Sequence, residues 1–181
     1  MKPDPIARKL SWLDPLFERS PENIFQGKTE RSIQQELSKR WKSENRLDLL
    51  NGLASRFGEE TVMAVIDGII ASDCRKSWKK TGEDLGDNSL SKFIELLWEP
   101  LTGAGFEYSM ERRGDRTQFR VTRCPLVEVA RELGAGKWLY HLACLTDEPS
   151  VTGFNPGIAF ERTQTLMQGH PVCDHCYTVK G

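Results

Sequence analysis

The stretch from Phe160 to Tyr177 concentrates the reactive side chains of this sequence. Arg162, Thr163, Thr165, His170, Cys173, Asp174, His175 and Cys176 crowd around a Gly169-His170-Pro171 turn. A turn requires Gly and Pro, and a strand requires β-branched or aromatic residues. Neither requires thiols, imidazoles and a carboxylate gathered at one end. Chemistry or metal binding is therefore sought here first.

Alternation along a strand sorts these groups. Cys173, His175 and Tyr177 fall on one face of the run Val172–Val179, and Asp174, Cys176 and Thr178 on the other. On the preceding run, Phe160 and Arg162 share a face opposite Glu161 and Thr163. One face of such a hairpin gathers a thiol or a carboxylate beside a guanidinium. This suits an anionic substrate: Arg forks onto a carboxylate while the neighbouring group acts on the adjacent carbon. The plainer reading is a cross-strand Arg–Asp pair with the cysteine packed in the core.

The Cys173-x-x-Cys176 pair raises a metal site, zinc or iron, with His170, Cys173 and Cys176 as ligands. Residues three apart on an extended strand point to opposite faces, so that site requires a bulge or turn. Cys124 precedes Pro125 at a strand-to-helix junction, where free backbone N–H groups favour a thiolate; a silent core role is the alternative. His141 and Cys144 share a face of one expected helix, and with Cys124 and Cys173 could make a thiol or metal cluster. Cys74 fits an apolar stripe and is assigned to the core. No phosphate-cradling loop, Gly-x-Ser-x-Gly elbow or His-Glu-x-x-His occurs.

Composition bounds the rest. The chain has 181 residues, 38% hydrophobic and 28% charged, with a formal net charge of -1. This describes an ordinary soluble protein able to bury a substantial core, without the footprint of a nucleic-acid binder. The basic tip Glu111–Arg116 reads as a solvated hairpin turn. No apolar run reaches the ~18–20 residues of a membrane span, and the opening residues show no signal-peptide core. Five cysteines, an odd number, then favour reduced thiols in a cytoplasmic protein over a disulfide framework.

The elements that must position these residues follow from periodicity. Apolar residues at helical spacing predict helices from Ser32 to about Phe57 and from Glu59 to about Lys80, and a third from Leu90 to Leu101. The period then changes to two. A β-hairpin is expected around Gly114-Asp115, then a helix from Pro125 through Leu133 and a second from Lys137 to about Thr146. Two more strands follow, at Gly157–Arg162 and Val172–Val179. The fold class is α+β: N-terminal helices packed on a C-terminal antiparallel sheet of two hairpins with two intervening helices. Residues 1–57 read as a helical arm, which could exchange between protomers of a homodimer, and residues 58–181 as the α+β domain.

One ordered set of residues adds a resemblance. Trp98, Gly105-Phe106-Glu107-Tyr108, Arg123-Cys124-Pro125, Ala143-Cys144-Leu145-Thr146-Asp147-Glu148-Pro149, Phe160-Glu161-Arg162-Thr163-Gln164-Thr165-Leu166, and Gly169 with Cys173-Asp174-His175-Cys176-Tyr177 occur in sequence. Over roughly residues 60–179 the pattern resembles the L-2-amino-thiazoline-4-carboxylic acid hydrolase family. Its most specific part is Arg-Thr-x-Thr-Leu followed by Gly and Cys-Asp. Family members usually carry an aromatic after Cys-Asp; here it is His175, with Cys176 an additional thiol. A weaker similarity, in the late Cys spacing, is to vinyl-reductase-type small-molecule-binding domains.

The resemblance implies ring-opening hydrolysis of a small cyclic amidine carboxylate. Such a reaction needs a base, an acid for the leaving group, and a cation to hold the carboxylate. On that reading Arg162 anchors the carboxylate, with Thr163, Thr165 and Cys144 lining the substrate. Asp174 is the base, Cys173 or Cys124 the nucleophile, and His170 or His175 the acid. The alternative is a small-molecule- or metal-binding module without catalysis, with the C-terminal Cys/His cluster as ligands.

Overall fold

The computed structural model describes residues 46–180; the expected helix start at Ser32 and most of the expected arm lie outside them. Helix α1 (Arg46–Phe57) leads into the long α2 (Glu59–Leu85), which buries Val62, Ile66, Ile70, Cys74, Trp78 and Gly82 along one stripe. Gly86, at φ 64°, ends α2 in the left-handed region. Ser89 caps α3 (Leu90–Leu97) by accepting the Lys92 N–H at 3.2 Å. The single helix expected here is broken at Trp98. Pro100 lies in the first turn of α4 (Glu99–Gly103), and its missing N–H stops α3 from continuing.

Strands β1 (Glu107–Arg113) and β2 (Arg116–Arg123) form the first hairpin. Cys124, in extended conformation, leads into α5 (Pro125–Leu133), and Gly134 at φ 63° closes that helix. Helix α6 (Gly136–Leu142) stops four residues short of the expected Thr146, and a 3₁₀ turn covers Cys144–Thr146. A further helix, α7 (Asp147–Phe154), fills the stretch between the expected helix end at Thr146 and the expected strand start at Gly157. Strands β3 (Ile158–Glu161) and β4 (Cys173–Val179) are antiparallel neighbours joined through a second 3₁₀ turn, Leu166–Gln168.

The sheet order is β1-β2-β4-β3, antiparallel throughout. Its inner face presents Phe119, Val121, Ile158, Cys173 and Tyr177 to Trp78, Leu90, Phe93, Trp98, Val151 and Phe154 of the helical layer. A second core lies away from the sheet, where Leu50, Val62, Ile66, Ile70 and Cys74 of α1 and α2 meet Ala130, Trp138, Leu139 and Leu142. The long α2 thus serves both cores, and Cys74 takes the structural place its stripe predicts. Helices α2 and α7 touch closely at Gly153, where a Cβ would fall 2.6 Å from the Arg75 Cα and O. That approach sets the depth at which Asp147, at the start of α7, meets the sheet.

Candidate functional site

His175 sits in the middle of β4, opposite Phe119 on β2. Trp98 stacks on Phe119 with ring centroids 3.9 Å apart and planes 9° apart, and meets the His175 ring edge-on at 5.1 Å. Phe160 on β3 approaches His175 at 5.9 Å. Trp98 Nε1 donates to Tyr177 Oη at 3.2 Å, and Tyr108 Oη donates to the Trp98 carbonyl at 2.9 Å. Rings packed this way, with their polar tips satisfied, give a stiff floor. Burial holds the Tyr177 phenol well above its usual pKa, so it is a neutral member of that floor.

Over this floor three elements converge. Asp147 arrives from the first turn of α7, Arg162 from just beyond β3, and His175 from β4. Asp147 Oδ2 accepts a hydrogen bond from Arg162 Nη1 and lies within hydrogen-bond distance of His175 Nε2, at 3.1 Å. Arg162 Nη1 also donates to the Cys144 carbonyl at 2.8 Å, which ties the 3₁₀ turn to the group. The Arg162 side chain is only 8% exposed and that of Asp147 21%. Burial opposes the guanidinium's charge, but the Asp147 carboxylate and neighbouring thiols outweigh it and its pKa lies above the usual value. Arg162 Nε and Nη2 donate to nothing among the described residues, nor does Asp147 Oδ1 accept from any.

Three thiols surround this group. Cys173 lies on the inner face of β4, its Sγ accepting the Leu166 N–H at 3.2 Å. Cys124 precedes α5, its carbonyl accepting the Val127 N–H at 3.0 Å; Arg123, bonded to Glu128 at 2.8 Å, fastens that junction. Cys144 opens the 3₁₀ turn. The three are near enough to feel one another's charge and that of Asp147. Burial pushes the Cys124 thiol up to about 12, outweighing the opposing influence of the backbone N–H groups of Val127 and Leu126 at the helix start. It raises Cys144 and Cys173 as well, against the opposing Arg162. These are protonated thiols at neutral pH, contrary to the thiolate that the helix start at Cys124 suggests in sequence.

Arg162, Cys173, His175, Cys124 and Cys144 are therefore brought together, on the face of β4 to which strand alternation assigns Cys173 and His175. Asp174 is not among them. It lies on the outer face of the sheet and closes the turn after β3, accepting from the Thr163 N–H at 2.9 Å, Thr163 Oγ1 at 2.5 Å and the Gln164 N–H at 2.6 Å. Partial burial works against its charge, yet those donors hold its pKa below the ordinary value. Thr163, exposed, belongs to that turn. Thr165 is buried and caps the second 3₁₀ turn, accepting the Gln168 N–H at 3.2 Å.

His170 is exposed on the turn before β4. Cys176 is buried on the outer face, between Gln118 of β2 and Glu161 of β3. β4 runs without a bulge through Cys173 and Cys176, so the two sulfurs diverge, and His170, Cys173 and Cys176 do not fit a shared zinc or iron ion. Among the described residues no three His, Cys, Asp or Glu side chains are placed to hold one metal. His141 turns instead to α2, 2.7 Å from Asp67, apart from Cys144.

Sequence reasoning gave Asp147 no role. Its signal was Thr146-Asp147-Glu148-Pro149, acidic residues and a Pro in one turn, which is how a helix starts. Extending the preceding helix to Thr146 obscured it.

A family model described as L-2-amino-thiazoline-4-carboxylic acid hydrolase matches residues 40–177, more than half of the chain. The chain belongs to that family. Neither a curated protein nor a solved structure matches it. The hydrolase-family match spans every element that builds the site, from α1 to Tyr177 in β4. Within the described residues no helix is long and apolar enough to cross a membrane.

Proposed function

We propose that this protein hydrolyses a small cyclic amidine or thiazoline carboxylate by opening its ring, a reaction of cysteine-related metabolism. The observation that carries the reading is the half-used Arg162 guanidinium. Its Nη1 is committed to Asp147 and Cys144, while Nε and Nη2 have no partner among the described residues. A nearly buried cation with free donors is a receptor for a carboxylate. The free Oδ1 of Asp147 faces the complementary task, pairing with the N–H groups of an amidine.

The chemistry adds the oxygen of water to the amidine carbon and then breaks that carbon's bond to the ring sulfur or nitrogen. Arg162 holds the substrate by its carboxylate, and the aromatic floor of Trp98, Phe119 and Phe160 excludes bulk water. His175 is the titratable ring at the centre of this arrangement. The protonated thiols of Cys173, Cys124 and Cys144 line the site as soft, uncharged neighbours suited to a ring sulfur. A thiolate nucleophile is disfavoured by their raised pKa values.

The test is incubation of purified protein with 2-amino-thiazoline-4-carboxylate, following loss of the ring chromophore and product formation by mass spectrometry. Turnover that disappears in His175→Gln supports the reading. Saturable binding without turnover, at an enzyme concentration sufficient for a single turnover, would falsify it in favour of a binding module.

A further inference from the structure

Asp147 Oδ2 is shared between two donors, and that sharing fixes the hydrogen on His175. A carboxylate held by a guanidinium offers lone pairs only, so the ring nitrogen facing it, Nε2 at 3.1 Å, carries the hydrogen. In the neutral imidazole Nδ1 is then bare. That atom is buried and finds no hydrogen-bond partner, in a side chain only 9% exposed. A buried acceptor left alone is costly, and native proteins seldom retain one without a use. The rings around it, Trp98, Phe119 and Phe160, offer it no strong donor.

We infer that Asp147 is a positioning residue: it holds His175 in the tautomer protonated at Nε2, leaving Nδ1 as the base of the site. Arg162 contributes by keeping Asp147 an acceptor. The chemical use rests on the hydrolase reading. Nδ1 takes one proton of the attacking water as the oxygen bonds to the amidine carbon. The resulting imidazolium, stabilised by the Asp147 carboxylate at Nε2, returns that proton to the ring atom that leaves, so the sum is addition of one water.

The experiment is a long-range proton–nitrogen NMR spectrum of protein labelled with ¹⁵N-histidine, at a pH where imidazoles are neutral. There are three histidines, and His141→Gln and His170→Gln identify the His175 signals without touching the site. The expected spectrum shows a bare Nδ1 and a protonated Nε2. In Asp147→Asn that pattern gives way to a tautomer mixture, and kcat falls about 10²–10⁴-fold with KM changed only about threefold. Wild-type protein protonated at Nδ1 overturns the inference outright. A tautomer unchanged in Asp147→Asn overturns the role of Asp147.

Should Asp147→Asn fail to fold, Asp147→Glu is the second variant: the tautomer kept, kcat down about 10-fold from the displaced ring. Wild-type kcat in Asp147→Glu contradicts positioning. The wild-type spectrum decides the tautomer even if the thiazoline is never turned over, so failure of this inference and failure of the hydrolase reading are told apart.

Discussion

Asp147 and His175, 28 residues apart, meet at 3.1 Å, joining the first residue of α7 to the middle of β4. The contact is sequence-distant and depends on the close crossing of α2 and α7. Without it the inner face of the sheet would hold an imidazole among aromatic rings and nothing to orient it.

Arg162 is expected to act mainly in binding. Arg162→Lys keeps a cation for Asp147 but loses the planar fork that meets a carboxylate at two points. KM for the thiazoline carboxylate should rise about 10–100-fold, matching roughly 1.5–3 kcal/mol for hydrogen bonds to a charged group. The fall in kcat should be about threefold or less. Steady-state kinetics checks this, and a variant with unchanged KM and a much lower kcat sinks the anchoring role.

Asp174 should matter to stability under acid conditions. Its folded-state pKa lies below the ordinary 3.8 because Thr163 and Gln164 donate to the carboxylate. The stability it contributes is present above the unfolded value and is lost as pH falls through the folded one. Asp174→Asn should therefore cost about 1–2 kcal/mol at pH 7 and flatten the decline in stability below about pH 4. Urea unfolding between pH 2.5 and 7 measures it, and an identical acid limb in wild type and variant refutes it.

The buried thiols predict the opposite limb. Cys124 is raised from 9.0 to about 12 by burial, so above pH 9 the unfolded chain ionises a thiol that the fold keeps protonated. Stability is intact below pH 9 and falls as pH rises toward about 12. Cys124→Ala should lower stability at pH 7 yet shallow that decline. The same burial makes Cys124, Cys144 and Cys173 slow toward a charged disulfide reagent at pH 7.5, while all five thiols react once the protein is denatured. Rapid native-state labelling of Cys124 would contradict the protonated, buried state.

Gly153 carries the α2–α7 crossing. Gly153→Ala places a methyl 2.6 Å from the Arg75 backbone, where neither helix has a flexible atom to move. A loss of about 1–3 kcal/mol is expected for such overpacking. Because α7 also presents Asp147, kcat should fall alongside the melting temperature. Thermal unfolding together with kinetics checks the pair; a drop in neither shows that the crossing tolerates a wider spacing.

Much of this architecture is legible from local signals. The stripe from Val62 to Trp78 specifies α2, Cys124-Pro125 and Gly134 bound α5, and the alternation of Phe119, Val121, Cys173 and Tyr177 specifies the buried face of the sheet. These are short-range regularities, in which each residue's neighbours in sequence set its backbone. Strand alternation likewise separated Cys173 and His175 from Asp174 and Cys176, but left open which of the two faces Arg162, just beyond the end of β3, would join. The split at Trp98 and the short helix at Asp147 were harder, because Pro100 and Pro149 sit inside first turns, where a proline starts a helix as readily as it ends one.

The sequence by itself determined the fold class, the family, and the concentration of functional groups between Phe160 and Tyr177. Those follow from residue types and their spacing along the chain. Which carboxylate meets Arg162 and His175 was decided by tertiary structure alone. Asp174, next to Cys173 in sequence, faces outward and closes a turn, while Asp147 reaches His175 and Arg162 through the packing of α7 on α2. Tertiary structure likewise decided the protonation of the thiols, since burial, not residue type, fixes the cost of a charge. Contacts between distant segments depend on how whole elements dock, and no local pattern encodes that distance.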